Sequence, residues 1–352
     1  MNIIPYLKLM VEKEASDLFF TVDAPVKIKL NGQVTSVGKT RLSGELVKQA
    51  AYGIMSAQQI AHFEETLEAD FAIALEDGSA RFRVNVFRQR GEVAMVLRLI
   101  PARIPTLAEL GLPEVLKSLV LNKRGLTLMA GATGSGKSTT LAAMIEHRNE
   151  NVAGHILTIE DPIEFYHPNR KSIVNQREVG IDTLSYAHAL RSALREAPDV
   201  ILIGEIRDRE SMEAAVQLAN TGHLAIATLH ANNASEALER IINLFPEELH
   251  KQLFMDLAIN LKAIISQRLV QDVNGKRCAA TEVLINTPHI AELILKRELG
   301  AIKEAMANSG AEGMQTFDMA LYKLFQQGRV TLEEALGNAD SRTNLEAKVN
   351  FG

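Results

Sequence analysis

The chain has 352 residues, 47% of them apolar and 23% charged, with 22 Gly, 10 Pro and one cysteine. That length predicts two or three folded units, the Gly and Pro content excludes collagen-like and low-complexity classes, and Cys278 alone permits neither an internal disulfide nor a four-cysteine zinc site, which points to a reducing compartment. Lys and Arg number 38 against 43 Asp and Glu, a formal charge of −5, so no global basic field draws the chain to nucleic acid or anionic lipid.

The first 20 residues interleave Lys8, Glu12, Lys13 and Glu14 with apolar positions and do not form a signal peptide. No run of 18 apolar residues occurs, so membrane contact is expected only through partners. The spacing of Ile3, Ile4, Leu7, Met10 and Val11 predicts a helix over 2–14, followed by a strand over 18–22. Residues 26–30 alternate with period two and lead into Asn31-Gly32, a hairpin signal. Helical patterns over 44–66 and strand-like runs at 70–75, 81–87 and 93–100 complete an α+β domain over 1–100. Pro101, Pro105 and Pro113 each restrict the backbone, which puts a linker at 101–113. Beyond it, apolar runs at 126–130, 156–159, 200–203 and 224–229 alternate with helical patterns at 137–149, 184–196, 209–220 and 235–245, the rhythm of a parallel sheet flanked by helices. The α/β core is assigned to 114–285. From 247 onward the pattern reads as helical apart from a strand at 279–285, with a helical C-terminal region over 286–352.

The residues Gly131, Ala132, Thr133, Gly134, Ser135, Gly136, Lys137 and Ser138 fit G-x-x-x-x-G-K-[ST], between an apolar run and a helical pattern. In such a loop the glycines let backbone N–H groups turn toward phosphates, the helix N-terminus adds partial positive charge, Lys137 reaches the β and γ oxygens, and Ser138 can hold Mg²⁺. The run Val200–Ile203 ends in Gly204-Glu205, a carboxylate at the carboxyl end of a strand, suited to orient or deprotonate an attacking water. Asp199, at the other end of that run, reads as a strand-start residue. Residues 158–164 end another strand with Glu160, Asp161 and Glu164, and residues 221–231 bracket a strand with His223 and His230. Both segments are expected to bring polar groups to one edge of the sheet, with a satisfied structural histidine as the competing reading for each histidine. Arg81, Arg83 and Asn85 share one face of a strand whose other face is Phe82, Val84 and Val86, and Arg98 interrupts the apolar strand 95–100.

Together the phosphate loop, the acidic box at 160–164, the strand ending in Glu205 and the histidine box at 221–230 resemble the secretion ATPase superfamily. Across nearly the full length the sequence resembles the type IV pilus retraction ATPases, the PilT/PilU family of twitching motility. That resemblance implies a PAS-like α+β domain followed by a RecA-like P-loop ATPase domain, assembled as a homo-hexamer that hydrolyses ATP with Mg²⁺ bound through Ser138. It implies that Lys137, Glu205, Glu164 and His230 serve the nucleotide site, together with Glu160 of the acidic box and Thr139 after the loop, and that Arg83 and Arg98 reach the γ-phosphate. A single cysteine forbids the zinc insertion common in assembly-type relatives. Where the PilT branch carries a motif like A-I-R-N-L-I-R-E, residues 287–298 read T-P-H-I-A-E-L-I-L-K-R-E; with the stretches 313–322 and 339–341 this looks closer to the PilU branch. The implied partners are a PilT-type retraction paralogue and an inner-membrane platform protein of the PilC type, and the implied location is cytoplasmic, at the inner face of the bacterial inner membrane. An accessory subunit that binds nucleotide and regulates a paralogous motor with little hydrolysis is the alternative. A RecA-like DNA motor is disfavoured by the −5 charge and the lack of a basic aromatic groove, so no nucleic-acid partner is expected.

Overall fold

The computed structural model describes residues 1–30, 32–100 and 103–351 and divides into two compact units between Arg103 and Ile104. The first contains α1 (Ile4–Glu12), β1 (Asp17–Phe20), β2 (Lys27–Leu30), β3 (Gln33–Ser36), α2 (Gly44–Tyr52), α3 (Ala57–Thr66), β4 (Glu68–Ala74), β5 (Arg81–Gln89) and β6 (Glu92–Ile100). Two of its helices start where an N-cap side chain satisfies a first-turn N–H group: Ser43 accepts from Leu46 N, and Ser56 with Gln59 forms a reciprocal capping box. The antiparallel sheet has the order β3-β2-β1-β6-β5-β4. Alternation in β5 is as the sequence predicts, with Phe82, Val84 and Val86 fully buried and Arg81 and Arg83 on the opposite face. Phe20, Phe63, Phe82 and Leu97 anchor this unit's core. Leu30 pairs with Gln33 across the expected hairpin; Asn31, half of the turn signal, lies outside the described residues.

The second unit contains α4 (Val115–Val120), β7 (Gly125–Ala130), α5 (Lys137–Asn151), β8 (Gly154–Glu160), β9 (Ser172–Glu178), α6 (Tyr186–Ala193), β10 (Val200–Ile203), α7 (Arg209–Asn220), β11 (Leu224–Leu229), α8 (Ala234–Asn243), α9 (Glu247–Asn260), β12 (Leu261–Gln271), β13 (Arg277–Ile285), α10 (Pro288–Leu295), α11 (Ile302–Ala307), α12 (Phe317–Gln326), α13 (Leu332–Asn338) and α14 (Arg342–Phe351). Residues 103–113 form neither helix nor strand, and Leu107 and Leu112 are buried in this unit's core. The sheet has the order β13-β12-β7-β11-β10-β8-β9, parallel throughout except that β13 runs antiparallel to β12. Every residue of β7, β10 and β11 is buried, as expected for parallel strands covered by helices on both faces. Leu126 and Leu128 enter one core and Met129 and Ile226 the other.

Two strands correct the sequence reading. The helical pattern expected from 247 onward is interrupted by β12, a strand inside the sheet: Leu261, Ile264, Ile265 and Leu269 follow helical spacing, but a strand buried on both faces is apolar without strict alternation, so periodicity does not separate the two. Edge strand β9, with Asn175, Gln176, Arg177 and Glu178, offers too few apolar positions to signal itself.

The C-terminal helices are tied to the sheet by charge as well as by packing. Arg268 of β12 lies 2.7 Å from Asp340 and stacks 3.9 Å over the Phe317 ring, while Lys303 lies 3.0 Å from Asp340. Next to this network Glu282 of β13, buried, accepts from Ala234 N at 2.7 Å, in the first turn of α8. Burial, aided by Asp340 and opposed by the Ala234 N–H, Lys303 and Arg268, pushes its carboxyl from 4.5 up to about 7. A folded value above the unfolded one means that the fold favours the neutral acid, so this group's contribution is fully present below about pH 4.5 and lost as pH rises through about 7. Melting temperatures measured at pH 5 and pH 8 should therefore fall less with rising pH for Glu282→Gln than for the wild type; an equal fall in both would remove Glu282 as the cause.

Candidate nucleotide site

Strands β7, β8, β10 and β11 are parallel neighbours, so the segments that follow them leave from one edge of the sheet, where α/β proteins place ligands. Those segments are Gly131–Gly136, the loop over 161–171, Gly204 to Asp208, and His230 to Asn233. The first turns into α5 at Gly136, whose φ of 86° is left-handed. That conformation is what calls for glycine; a Cβ there would also lie 2.7 Å from Gln267 Nε2, the end of a side chain that would have to shift. Eight helices of the two units, α2, α3, α6, α7, α8, α10, α12 and α13, start with a Ser, Thr, Asp or Asn side chain that accepts a first-turn N–H. The 15-residue α5, like α1, α4, α9 and α11, does not: Gly136 has no such oxygen, and the first-turn N–H groups of Lys137, Ser138 and Thr139 have no acceptor within the helix. Ser135 Oγ is buried with no hydrogen-bond partner among the described residues. Lys137 Nζ donates to the carbonyls of Gly131 at 2.7 Å and Ala132 at 2.9 Å. Burial lowers its pKa, opposed by the nearby charges of Glu205 and Glu164. The result is a cation and uncapped N–H groups near two carboxylates, chemistry that fits a polyphosphate, and Ser138 in the first turn is the hydroxyl that could hold its counter-cation.

Glu205, 17% exposed, has both oxygens engaged: His230 Nε2 is 2.9 Å from Oε1, and Arg207 reaches Oε2 from Nε at 2.7 Å and from its terminal nitrogen at 2.6 Å. Arg207 rises in pKa from its bond to Glu205 and its proximity to that charge. Gly204, before it, touches its surroundings through bare Cα, since a Cβ would lie 2.8 Å from Tyr186 Oη and 3.1 Å from Glu160 Cα. Glu160 ends β8; burial raises its pKa against hydrogen bonds from Thr158 Oγ1 at 2.7 Å and Gln176 Nε2 at 3.1 Å. Glu164 lies exposed on the following loop.

The structure thus brings Lys137, Glu205, Glu164, Glu160 and His230 to one edge. It separates the two histidines. The six-residue β11 lies between them, roughly 20 Å of strand, so His223 is at the opposite edge, within 3.1 Å of Thr221 Oγ1 and 3.2 Å of the Leu218 carbonyl. Of the histidine box, expected to bring polar groups to the phosphate edge, His230 lies there and His223 does not. Asp199 shares that far edge and accepts from His155 N at 2.8 Å, a strand-start contact. Arg83 and Arg98 belong to the first unit, as directly opposed residues of β5 and β6; Arg98 Nε is 2.8 Å from Asp17 and Arg83 Nε 3.8 Å from Asp70. Three contributors escape the sequence reading. Arg207 was hidden by its place in a short loop. Gln267, whose Nε2 donates to Ser135 O at 2.8 Å and whose Oε1 accepts from Thr140 at 2.8 Å, props the phosphate loop from β12, the strand read as helix. Gln176 lies on the unrecognised β9.

Fold and edge chemistry define a RecA-like ATPase domain behind an N-terminal α+β domain. A family model described as type II/IV secretion system protein matches residues 2–346, and the chain belongs to that family. It is 55% identical over 347 residues to the type IV pilus ATPase PilU of Pseudomonas aeruginosa, covering 98% of this chain and 91% of that protein, and 43% identical to the type IV pilus retraction ATPase PilT of the same organism, covering 98% and 100%. The crystal structure of the pilus retraction motor PilT with bound ADP superposes with a TM-score of 0.92 at 42% identity over 98% of this chain and 99% of that one; the Legionella pneumophila ATPase DotB does so at 0.79, with 26% identity over 94% of each. The chain is an ATPase of the secretion ATPase superfamily, similar to both pilus motors over nearly its whole length.

Proposed function

We propose that the chain hydrolyses ATP in a homo-hexameric ring that drives or assists type IV pilus retraction in twitching motility. The observation that carries this reading is the uncapped start of α5, where Lys137 donates to the carbonyls of Gly131 and Ala132 within reach of the charges of Glu205 and Glu164. The names of the similar pilus motors and the ADP in the PilT crystal support the biological context and the nucleotide.

Residues Gly131 to Thr139 wrap the phosphates, with Lys137 leaving the loop carbonyls for the β and γ oxygens. A divalent cation, Mg²⁺, held through Ser138 would supply charge neutralisation at those oxygens. Glu205 orients the attacking water and accepts its proton, His230 steers the carboxylate, and Glu160 and Glu164 flank the phosphate edge. Arg83 and Arg98 are assigned to the γ-phosphate as charge stabilisers. No covalent intermediate is required, since phosphoryl transfer is catalysed mainly by positioning and electrostatics. The working partners are a PilT-type paralogue and a PilC-type platform protein at the cytoplasmic face of the inner membrane, with no nucleic acid. Among the described residues no helix is long and apolar enough to cross a membrane, which fits attachment through such partners.

One observation favours the accessory reading, in which nucleotide binding regulates a paralogue: Arg207 and His230 each hold one oxygen of Glu205, so an attacking water would have to share the carboxylate with both. Phosphate release by the purified chain separates the two readings, alone and with a PilT-type paralogue, in Mg²⁺ and in EDTA, with particle mass measured in parallel. The motor reading expects Mg²⁺-dependent turnover by the chain alone in a six-subunit particle. Release seen only as stimulation of the paralogue would select the accessory reading, and release unaffected by EDTA would remove the metal.

A further inference from the structure

We propose that Gln176 is a positioning residue for hydrolysis, its side-chain amide locking the Glu160 carboxylate and the loop that carries Glu164 into one rigid unit. The inference rests on the reading above that these carboxylates serve the nucleotide site. Strand β9 pairs in parallel with β8, with Thr158 opposite Gln176 and Glu160 opposite Glu178. From there Gln176 Oε1 accepts from His167 N at 2.8 Å, and Nε2 donates to Phe165 O at 2.8 Å and to Glu160 Oε1 at 3.1 Å. Both amide hydrogens and the oxygen are used, which fixes the orientation of the side chain. Hence one residue holds the end of β8 and both backbone positions that flank Tyr166 on the loop.

The rest of the loop is fastened at its sides. Ile163 N donates to Glu178 Oε2 at 3.0 Å. Buried His167 places Nδ1 3.0 Å from Glu146 Oε2, and Asn149 Nδ2 donates to Pro168 O at 2.7 Å; Glu146 and Asn149 are on α5, the helix that starts at Lys137. The loop therefore spans from β9 to the helix of the phosphate loop, and Glu164 is the member whose charge is felt at Lys137. Among these bonds, those of Gln176 are the ones that join a site carboxylate to the loop backbone. Glu160 is faced by Thr158 and Gln176 as donors, by His167 and Glu164, and by Tyr186, so loss of the Gln176 N–H removes one of the groups that hold its pKa down.

The test uses the full chain with Mg²⁺ and ATP, comparing Gln176→Met, which keeps length and removes all three bonds, with Gln176→Glu, which keeps an acceptor for His167 N and removes both donors. Both variants should bind nucleotide with a KM within about threefold of wild type while kcat falls on the order of 10- to 100-fold, the cost of a small misplacement of reacting groups. The acid limb of the kcat–pH profile should move to higher pH in Gln176→Met, a change that a merely structural contact would not produce. Wild-type kcat and pH profile in either folded variant, or equal losses in kcat and affinity with an unmoved acid limb, would overturn the proposal. Lys137→Ala measured alongside separates the two levels: if wild type and Lys137→Ala behave alike, the nucleotide-site reading falls and takes this inference with it, whereas a dead Lys137→Ala beside normal Gln176 variants overturns the inference alone.

Discussion

Lys137→Ala is expected to lose nucleotide binding and, with it, all turnover, while the chain stays folded. Lys137 is half-buried at the start of α5, bonded to the carbonyls of Gly131 and Ala132, and sensed by Glu205 and Glu164. Its removal deletes the cation of the phosphate loop itself, so an incoming triphosphate would meet the charges of Glu205 and Glu164 with less to offset them, Arg207 being already paired with Glu205. Charge-assisted bonds to phosphate contribute roughly 1.5–3 kcal/mol each, and loss of two is worth about 100-fold or more in affinity. The folded state loses only two bonds to loop carbonyls, of which that to the exposed Ala132 is readily replaced by water. Equilibrium titration with a fluorescent ATP analogue measures the affinity, and a melting curve reports the fold; binding within a few-fold of wild type would exclude Lys137 from the phosphates.

Glu205→Gln should do the opposite: binding within a few-fold of wild type and turnover reduced by about 10²- to 10⁴-fold, the usual range for loss of a general base. The amide preserves the shape of the side chain but cannot accept the proton of an attacking water, and it loses the charge that attracts Arg207. Single-turnover phosphate release read beside an affinity titration separates the two effects. A variant that hydrolyses normally would show that another group handles the water, and a variant that fails to bind would show that the carboxylate is needed to organise the phosphate loop.

How far the sequence discloses this site depends on whether a residue announces itself locally. Gly131 to Ser138 do so, because glycines at left-handed positions between a buried strand and a helix, followed by a lysine and a serine, form one contiguous pattern. Glu205 also does, since a carboxylate after four buried apolar residues marks the end of a strand. His223 and His230 bracket an apolar run in the sequence, and the direction of β11 fixes which of them reaches the phosphate edge. Gln267 and Gln176 are not legible at all: each is neutral, each reaches its target across a strand pairing, and both lie on strands whose composition hides them, β12 by resembling a buried helix and β9 by being an edge. The fold class and strand rhythm were readable from apolar periodicity, while the interior place of β12 beside β7 is a long-range pairing that no local pattern encodes.

A nucleotide's phosphate tail binds, on this reading, at the α5 N-terminus and the loop over 131–139. Calorimetric titration of ATP with Mg²⁺ into the intact wild-type chain, with Lys137→Ala as the paired sample, measures that binding. Saturable uptake is expected for the wild type and none for the variant; no uptake by folded wild-type protein, or equal uptake by both, would exclude this loop as the phosphate site.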